Sequence, residues 1–274
     1  MKKTLLALAA VAALGVAGQA QAILIVGQPI KIQESAIPGA AANAFTATQI
    51  SGQYDEVLSF GPGVFATEAV FGAGQWFNGN SPLSTQLNGF GAAGYRIYAK
   101  FIATGTFSTD ILGTTHFNAT SNAIQLWADP SADTVFDVNS SVPALTPSFS
   151  HFTLSSGAGT NSDDILLGTA SATAAADGNS NTGLANGNFE TLFKDWSLTA
   201  AGQLYFTAPR PFYMGLDLNG NFQSITPVSG TDAIIRGSSA NAFFGNVIPE
   251  PGSLALLGLG LVGLGFSQRR KAAK

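Results

Sequence analysis

The stretch 95–107 alternates strictly. Tyr95, Ile97, Ala99, Phe101 and Ala103 fall on one side of an extended chain, and Arg96, Tyr98, Lys100, Ile102 and Thr104 on the other. Successive side chains of a strand point to opposite faces, so a period of two marks a β-strand with one face buried. Shorter β-like runs recur at 23–32, 44–50, 56–60, 64–71, 123–128, 134–138, 152–155, 164–174, 204–207 and 212–218, separated by clusters of Gly, Asn, Pro and Ser. Many short strands with regular turn signals predict an all-β domain, a β-sandwich or jelly-roll-like secreted fold. Asn219-Gly220 is the strongest hairpin signal, because a type I′ turn needs positive φ at both central residues. It is expected to join 212–218 to 222–226. Phe189, Leu192, Phe193 and Trp196 have helical spacing, but in a chain otherwise of β type they are read as strand. The Gly-, Asn- and Ser-rich stretches 155–161 and 176–188 read as exposed loops.

Both ends fall outside this pattern. Met1-Lys2-Lys3 is followed by an uncharged Ala- and Leu-rich run and then Ala20-Gln21-Ala22, a small-x-small site. A basic start, a short apolar core and such a site make a secretory signal peptide over 1–22, cleaved at the site that Ala20 and Ala22 define. At the other end, Pro249-Glu250-Pro251 precedes an uncharged run with six leucines, closed by Arg269, Arg270 and Lys271. As a helix, 252–266 covers about 22 Å at ~1.5 Å per residue. The hydrocarbon core is ~30 Å thick, so this is a marginal transmembrane helix, its basic end held in the cytoplasm. Gly258-Leu259-Gly260-Leu261-Val262-Gly263 has dinucleotide-loop spacing, but it lies inside this apolar run rather than between a strand and a helix.

A Pro-Glu-Pro motif, a short apolar span and a basic end, in that order, resemble the PEP-CTERM sorting signal, here over 247–274. The resemblance implies processing by an exosortase at the inner membrane, where the protein is transiently anchored before release to the cell surface or extracellular matrix. The domain organisation read from this is a signal peptide (1–22), a secreted β domain (23–246) and the sorting tail (247–274). The Sec translocon and signal peptidase are the expected partners of the first segment.

The central region carries six bases against fifteen acids, while the other six bases sit in the two ends. So acidic a surface argues against nucleic acid as a partner. There is no cysteine, so neither disulfides nor thiolate metal sites are available to this exported chain. Twenty phenylalanines suit cross-strand aromatic pairs in a β core.

Candidate chemistry in the middle is sparse. The two histidines, His116 and His151, come without a G-x-S-x-G elbow or an HExxH pair, and each adjoins a Phe in β-like context. A secreted hydrolase is therefore the third-ranked reading, and a non-enzymatic protein is expected. No cofactor is expected beyond a structural Ca²⁺. Asp129, Asp133 and Asp137 recur every four residues, and Asp177, Asn179 and Asn181 supply oxygens at alternate positions. Asp163-Asp164 adds two more carboxylates. Calcium takes several oxygens in irregular geometry, although Thr182 stands where an EF-hand loop needs glycine. Trp76, Trp127 and Trp196, with Tyr95 and Tyr98, are candidate stacking platforms for sugar rings. Such aromatics more often serve as core.

Gln53-Tyr54-Asp55-Glu56, Leu126-Trp127-Ala128-Asp129-Pro130 and the run 212–221 resemble the flocculation-associated PEP-CTERM proteins. That resemblance implies a surface or matrix protein that retains extracellular polysaccharide and holds cells in flocs or biofilm. It carries over no catalytic residue. A lectin-like module gripping polysaccharide directly is the alternative.

Overall fold

The alternating stretch forms β7 (Arg96–Thr109), with Ile97, Ala99, Phe101 and Ala103 buried and Arg96, Lys100 and Thr104 part-exposed on the opposite face. The computed structural model describes residues 23–26, 29–87, 94–139, 145, 150–154, 161–172, 176–181, 187–193, 196–209, 214–222 and 230–248. The expected signal peptide, the Pro-Glu-Pro motif and the transmembrane helix lie outside the described residues. Among the described residues no helix is long and apolar enough to cross a membrane. Val26–Asn246 forms one compact unit.

The chain is all-β and antiparallel. Its strands are β1 (Ile23–Val26), β2 (Ile30–Gln33), β3 (Ala44–Ala47), β4 (Gln49–Gly61), β5 (Val64–Asn78), β6 (Ser81–Pro82), β7, β8 (Thr114–Asp129), β9 (Phe136–Val138) and β10 (Phe152–Leu154). They continue with β11 (Ile165–Ala172), β12 (Ala176–Asn181), β13 (Gly187–Phe193), β14 (Trp196–Leu198), β15 (Phe206–Ala208), β16 (Met214–Phe222) and β17 (Asp232–Ile248). β4, β5, β7 and β8 are antiparallel neighbours in chain order. β8 divides its far edge between two partners, 114–119 pairing with β12 and 122–128 with β11. β12 then pairs with β13, β13 with β16, β16 with β17, and β17 with β4. The ladder returns to where it began. Facing stretches of sheet enclose one core, as in a sandwich, and they are joined at both sides. A strand paired on both edges offers no free ladder to a stray chain.

Inward positions hold the apolar side chains: Ile50, Leu58 and Phe60 on β4, Phe65 and Phe71 on β5, Ile124 and Leu126 on β8, Phe244 on β17. Outward positions on the same strands carry Gln53, Asp55, Lys100, Gln125, Ser239 and Asn241, all at least partly exposed. A transmembrane barrel has the reverse arrangement, with its apolar band facing lipid. The closed sheet is therefore built for water outside and carbon inside. Two bulges bend it. At the shift between Ser51 and Gly52, a β-carbon on Gly52 would lie 2.0 Å from the Gly72 carbonyl oxygen. At the shift between Thr104 and Gly105, one on Gly105 would lie 2.1 Å from the Asn118 oxygen. Only glycine permits either approach.

One end of the core is capped by the small sheet β15–β2–β3, a 3-10 turn (Glu34–Ala36) and helix α1 (Ala200–Tyr205). Thr199 caps α1, its hydroxyl accepting from Gly202 N at 3.1 Å and donating to Leu166 O at 2.6 Å. Glu34 is fully buried here. One carboxylate oxygen accepts from Gln86 N and Tyr95 OH, both at 2.9 Å; the other accepts from Asn43 Nδ2 at 2.6 Å and Gln86 Nε2 at 3.2 Å. Tyr95 and Tyr205 share a hydroxyl contact at 2.8 Å, extending the network to the helix.

Three expectations fail. Asn219-Gly220 makes no hairpin, because β16 runs straight through it with Asn219 opposite Asn241 and Gly220 opposite Ala240. The stretch 176–188 contains β12 and the start of β13 rather than only a loop; paired backbones on both sides satisfy β12's amides whatever its side chains are. The run 204–207 is half helix, since α1 ends at Tyr205 and β15 begins at Phe206. Phe189, Leu192 and Phe193 fall in β13 and Trp196 opens β14, strand as expected.

Candidate functional site

Alternation sets Arg96, Tyr98 and Lys100 on the outer face of β7, and the register sets them opposite Asp129, Trp127 and Gln125 of β8. Tyr98 and Trp127 stack with ring planes 5° apart and centroids at 6.3 Å. Over them lies the β9–β10 hairpin. Phe136 meets the Tyr98 ring edge-on at 5.3 Å, and Lys100 Nζ sits 4.8 Å from the Phe136 centroid. Burial holds the Lys100 amine below its ordinary range, with Asp164 and Glu68 opposing.

The hairpin is fastened by a buried pair. Glu68, 2 % exposed, accepts from His151 N at 3.1 Å and from Phe152 N at 3.3 Å, and its carboxylate lies 3.0 Å from His151 Nδ1. His151 Nε2 is buried and has no partner among the described residues. Beside the hairpin runs a cleft of about 440 Å³. Gly52, Gly72 and Gly74 give it a floor with little side-chain cover, Tyr98, Phe136 and Phe152 its apolar wall, and Arg96, Gln53 and Asp55 its polar groups. Flat apolar surface beside planar hydrogen-bonding groups suits a ring that has one apolar face and hydroxyls at its edge.

At the Arg96 end of this surface the carboxylates gather. Oxygens of Asp129, Asp133 and Asp163 lie within 4.8 Å of one another, a spacing one divalent cation could bridge. Asp129 is fully buried; Oδ2 accepts from Thr134 N at 2.9 Å and Oδ1 from Ser131 Oγ at 3.3 Å. Asp133 Oδ1 is buried without a partner among the described residues. Next to them, Asp164 accepts from Tyr98 OH at 2.6 Å and from Thr134 Oγ1 at 3.1 Å. Burial pushes the Asp164 carboxyl up, with those hydrogen bonds opposing it.

Of the six oxygen donors expected to hold calcium, Asp129 and Asp133 are brought together, with Asp163 as their third member. Asp137 lies on β9 opposite Thr153, and Asp177, Asn179 and Asn181 lie on β12 opposite Asn118, His116 and Thr114. The tryptophans separate as well. Trp76, 1 % exposed, stacks on Phe244 inside the core and offers no face to solvent; Tyr95, equally buried, belongs to the Glu34 network. Trp196 is half-buried against Phe193. Trp127 alone of the three sits on the cleft side of the sheet, half-exposed. His116, half-exposed, has Nε2 3.2 Å from Asp110 Oδ2 at the β7–β8 turn, whereas His151 is committed to Glu68. Arg96, Phe136 and the glycine floor were not singled out from the sequence; the alternation of 95–107 already set Arg96, Tyr98 and Lys100 on one face.

Residues 247–271 match the family model for the PEP-CTERM protein-sorting motif. No curated protein and no solved structure matches the chain.

Proposed function

From the PEP-CTERM motif, which marks an exported, exosortase-sorted protein that passes through a membrane-anchored intermediate, we propose that the mature chain is a non-enzymatic surface or extracellular-matrix protein. It retains extracellular polysaccharide and so supports flocculation or biofilm formation. The sorting motif is the observation that carries this reading. The Sec translocon and signal peptidase serve the N-terminal segment. Deleting the gene is expected to give dispersed cells and polysaccharide free in the medium, and the full chain restores flocs. Deletion cells that still flocculate and hold their polysaccharide overturn the reading.

The cleft favours a second, more direct reading, in which the domain itself grips polysaccharide as a lectin-like module. Tyr98, Phe136 and Phe152 supply the apolar wall, and Arg96, Gln53 and Asp55 bond ring hydroxyls. Binding of the purified protein to the host's own polysaccharide tests it. Losing one aromatic contact of ~0.5–1.5 kcal/mol, Phe136→Ala is expected to weaken binding roughly 3- to 10-fold. No detectable binding by the unaltered protein removes this second reading and leaves the first standing.

A further inference from the structure

The turn between β7 and β8 presents two large apolar side chains to water. Ile111 is fully exposed and Leu112 is 83 % exposed. The turn that carries them is tightly tied. Asp110 N donates to Thr114 O at 2.9 Å, and Gly113 N to Asp110 O at 3.1 Å. Asp110 Oδ1 accepts from Leu112 N at 2.8 Å and from Thr114 N at 2.9 Å, and Oδ2 lies 3.2 Å from His116 Nε2. Gly113, at φ +82°, supplies the left-handed residue the turn needs. An apolar pair on so fixed a turn loses little conformational freedom when a partner covers it. The stretch 106–118 holds one carboxylate and no Lys or Arg, a poor match for an anionic membrane surface.

The same chain carries a surface of matching character. The outer cleft has Tyr98, Phe136 and Phe152 as its apolar wall and a floor left bare at Gly72. Backbone packing does not demand that glycine, unlike Gly52: a β-carbon on Gly72 would meet nothing nearer than Gln53 O at 4.0 Å. Its absence leaves room for side chains from outside. A tip cannot enter the cleft of its own chain, because Tyr98 and Ile111 are separated by the length of β7, roughly 40 Å at ~3.3 Å per residue. Two tips meeting across a two-fold axis would set one Asp110 against the other. In the cleft the same carboxylate meets Arg96, the one cation among the described lining residues, while Asp55 there already accepts from Gly237 N at 2.7 Å.

We propose that the Ile111–Leu112 tip of one copy docks in the outer cleft of the next, joining mature chains head to tail. Such a heterologous contact does not stop at a dimer. It needs no polysaccharide and is independent of the polysaccharide reading. Sedimentation velocity of the purified protein over the micromolar to millimolar range tests it. Species larger than a dimer are expected, growing with concentration. Six bases against fifteen acids in the central region make copies repel, so added NaCl should strengthen the association by screening. Burying one Leu or Ile side chain is worth roughly 10- to 100-fold in affinity, so Leu112→Ser should weaken association by that factor. The double variant Ile111→Ser, Leu112→Ser, which alters only exposed side chains, should be a monomer. Gly72→Val, which covers the floor, should be one too; if it does not fold, Val135→Glu on the exposed rim of the cleft takes its place. Mixed in equal amounts, the tip variant, which keeps a cleft, and the cleft variant, which keeps a tip, should form a dimer and nothing larger. A monomeric unaltered protein, association that stops at a dimer, or a mixture that stays monomeric overturns the proposal.

Discussion

Replacing Glu34 probes the cap over one end of the core. All four of its partners donate, so this buried group must act as a fourfold acceptor, a role a carboxylate fills and a neutral side chain does not. In Glu34→Ala the partners fare unequally. Gln86 Nε2 keeps Ala41 O at 2.9 Å, Tyr95 OH keeps Tyr205, and Asn43 keeps only a long contact to Ser84 O at 3.5 Å. Gln86 N has no other partner in the network. Two short bonds without an equal substitute, those from Gln86 N and Asn43 Nδ2, are worth roughly 1.5–2 kcal/mol each, so the variant should lose about 3–4 kcal/mol. Glu34→Gln retains an oxygen for Gln86 N and Tyr95 OH but sets an amide NH₂ against the side-chain amides of Asn43 and Gln86. Asn43 can turn its amide over at small cost. Gln86 cannot, because it both donates to Ala41 O and accepts from Ala41 N. The amide variant should therefore lose only about 1–2 kcal/mol. Equilibrium urea unfolding followed by tryptophan fluorescence reads both values, with unchanged m as the sign that only stability moved. At ~2–4 °C per kcal/mol for a domain this size, Glu34→Ala should unfold roughly 6–16 °C lower. A loss under about 1 kcal/mol for the alanine variant, or equal losses for both, would falsify the fourfold-acceptor account.

Other outcomes follow from the same geometry. Burial pushes the Glu56 carboxyl up to about 7 from 4.5, with the Thr67 hydrogen bond opposing the rise. A folded-state value above the unfolded one means a penalty absent below about pH 4.5 and growing as pH rises through 7, to about 3 kcal/mol. Glu56→Gln should accordingly be the more stable protein at pH 8 and gain nothing near pH 4; urea midpoints at the two pH values check this, and a gain that does not change with pH would refute it. Glu68→Ala leaves the His151 and Phe152 amides without their acceptor, so hydrogen exchange at those two amides should quicken at least tenfold; unchanged exchange would mean the β9–β10 hairpin is fastened elsewhere. Millimolar Ca²⁺ is expected to raise the Tm of the unaltered protein by a few degrees and that of Asp133→Asn by less, read by scanning fluorimetry with chelator as control. Equal shifts in both proteins would remove Asp133 from any cation site.

Local pattern carried the β character of the chain. The alternation of 95–107 became β7 with the expected buried face, and Phe189, Leu192, Phe193 and Trp196 fall in strands despite their helical spacing. The sorting tail was also readable in order from Pro249 to Lys271, because its chemistry is contiguous and needs no partner from elsewhere in the chain. What tertiary structure decided was every choice between competing local options. Asn219-Gly220 can turn, but β13 on one side and β17 on the other offer both edges of β16 a ladder, and continuing the strand satisfies more backbone than turning does. The same holds for β12, whose Asp, Gly, Asn and Ser residues are poor strand formers until β8 and β13 pair with both of its edges. The carboxylate trio joins Asp129 and Asp133 to Asp163 across some thirty residues, because β8 and β11 lie side by side at that end of the ring. Trp76 and Trp127 are the same residue type with opposite fates, one inside and one outside, and a bulge shift at Ser51–Gly52 between β4 and β5 stands before the first of them. Period and composition are properties of neighbours along the chain; ring closure and register are properties of residues far apart in it, and only the folded sheet brings those together.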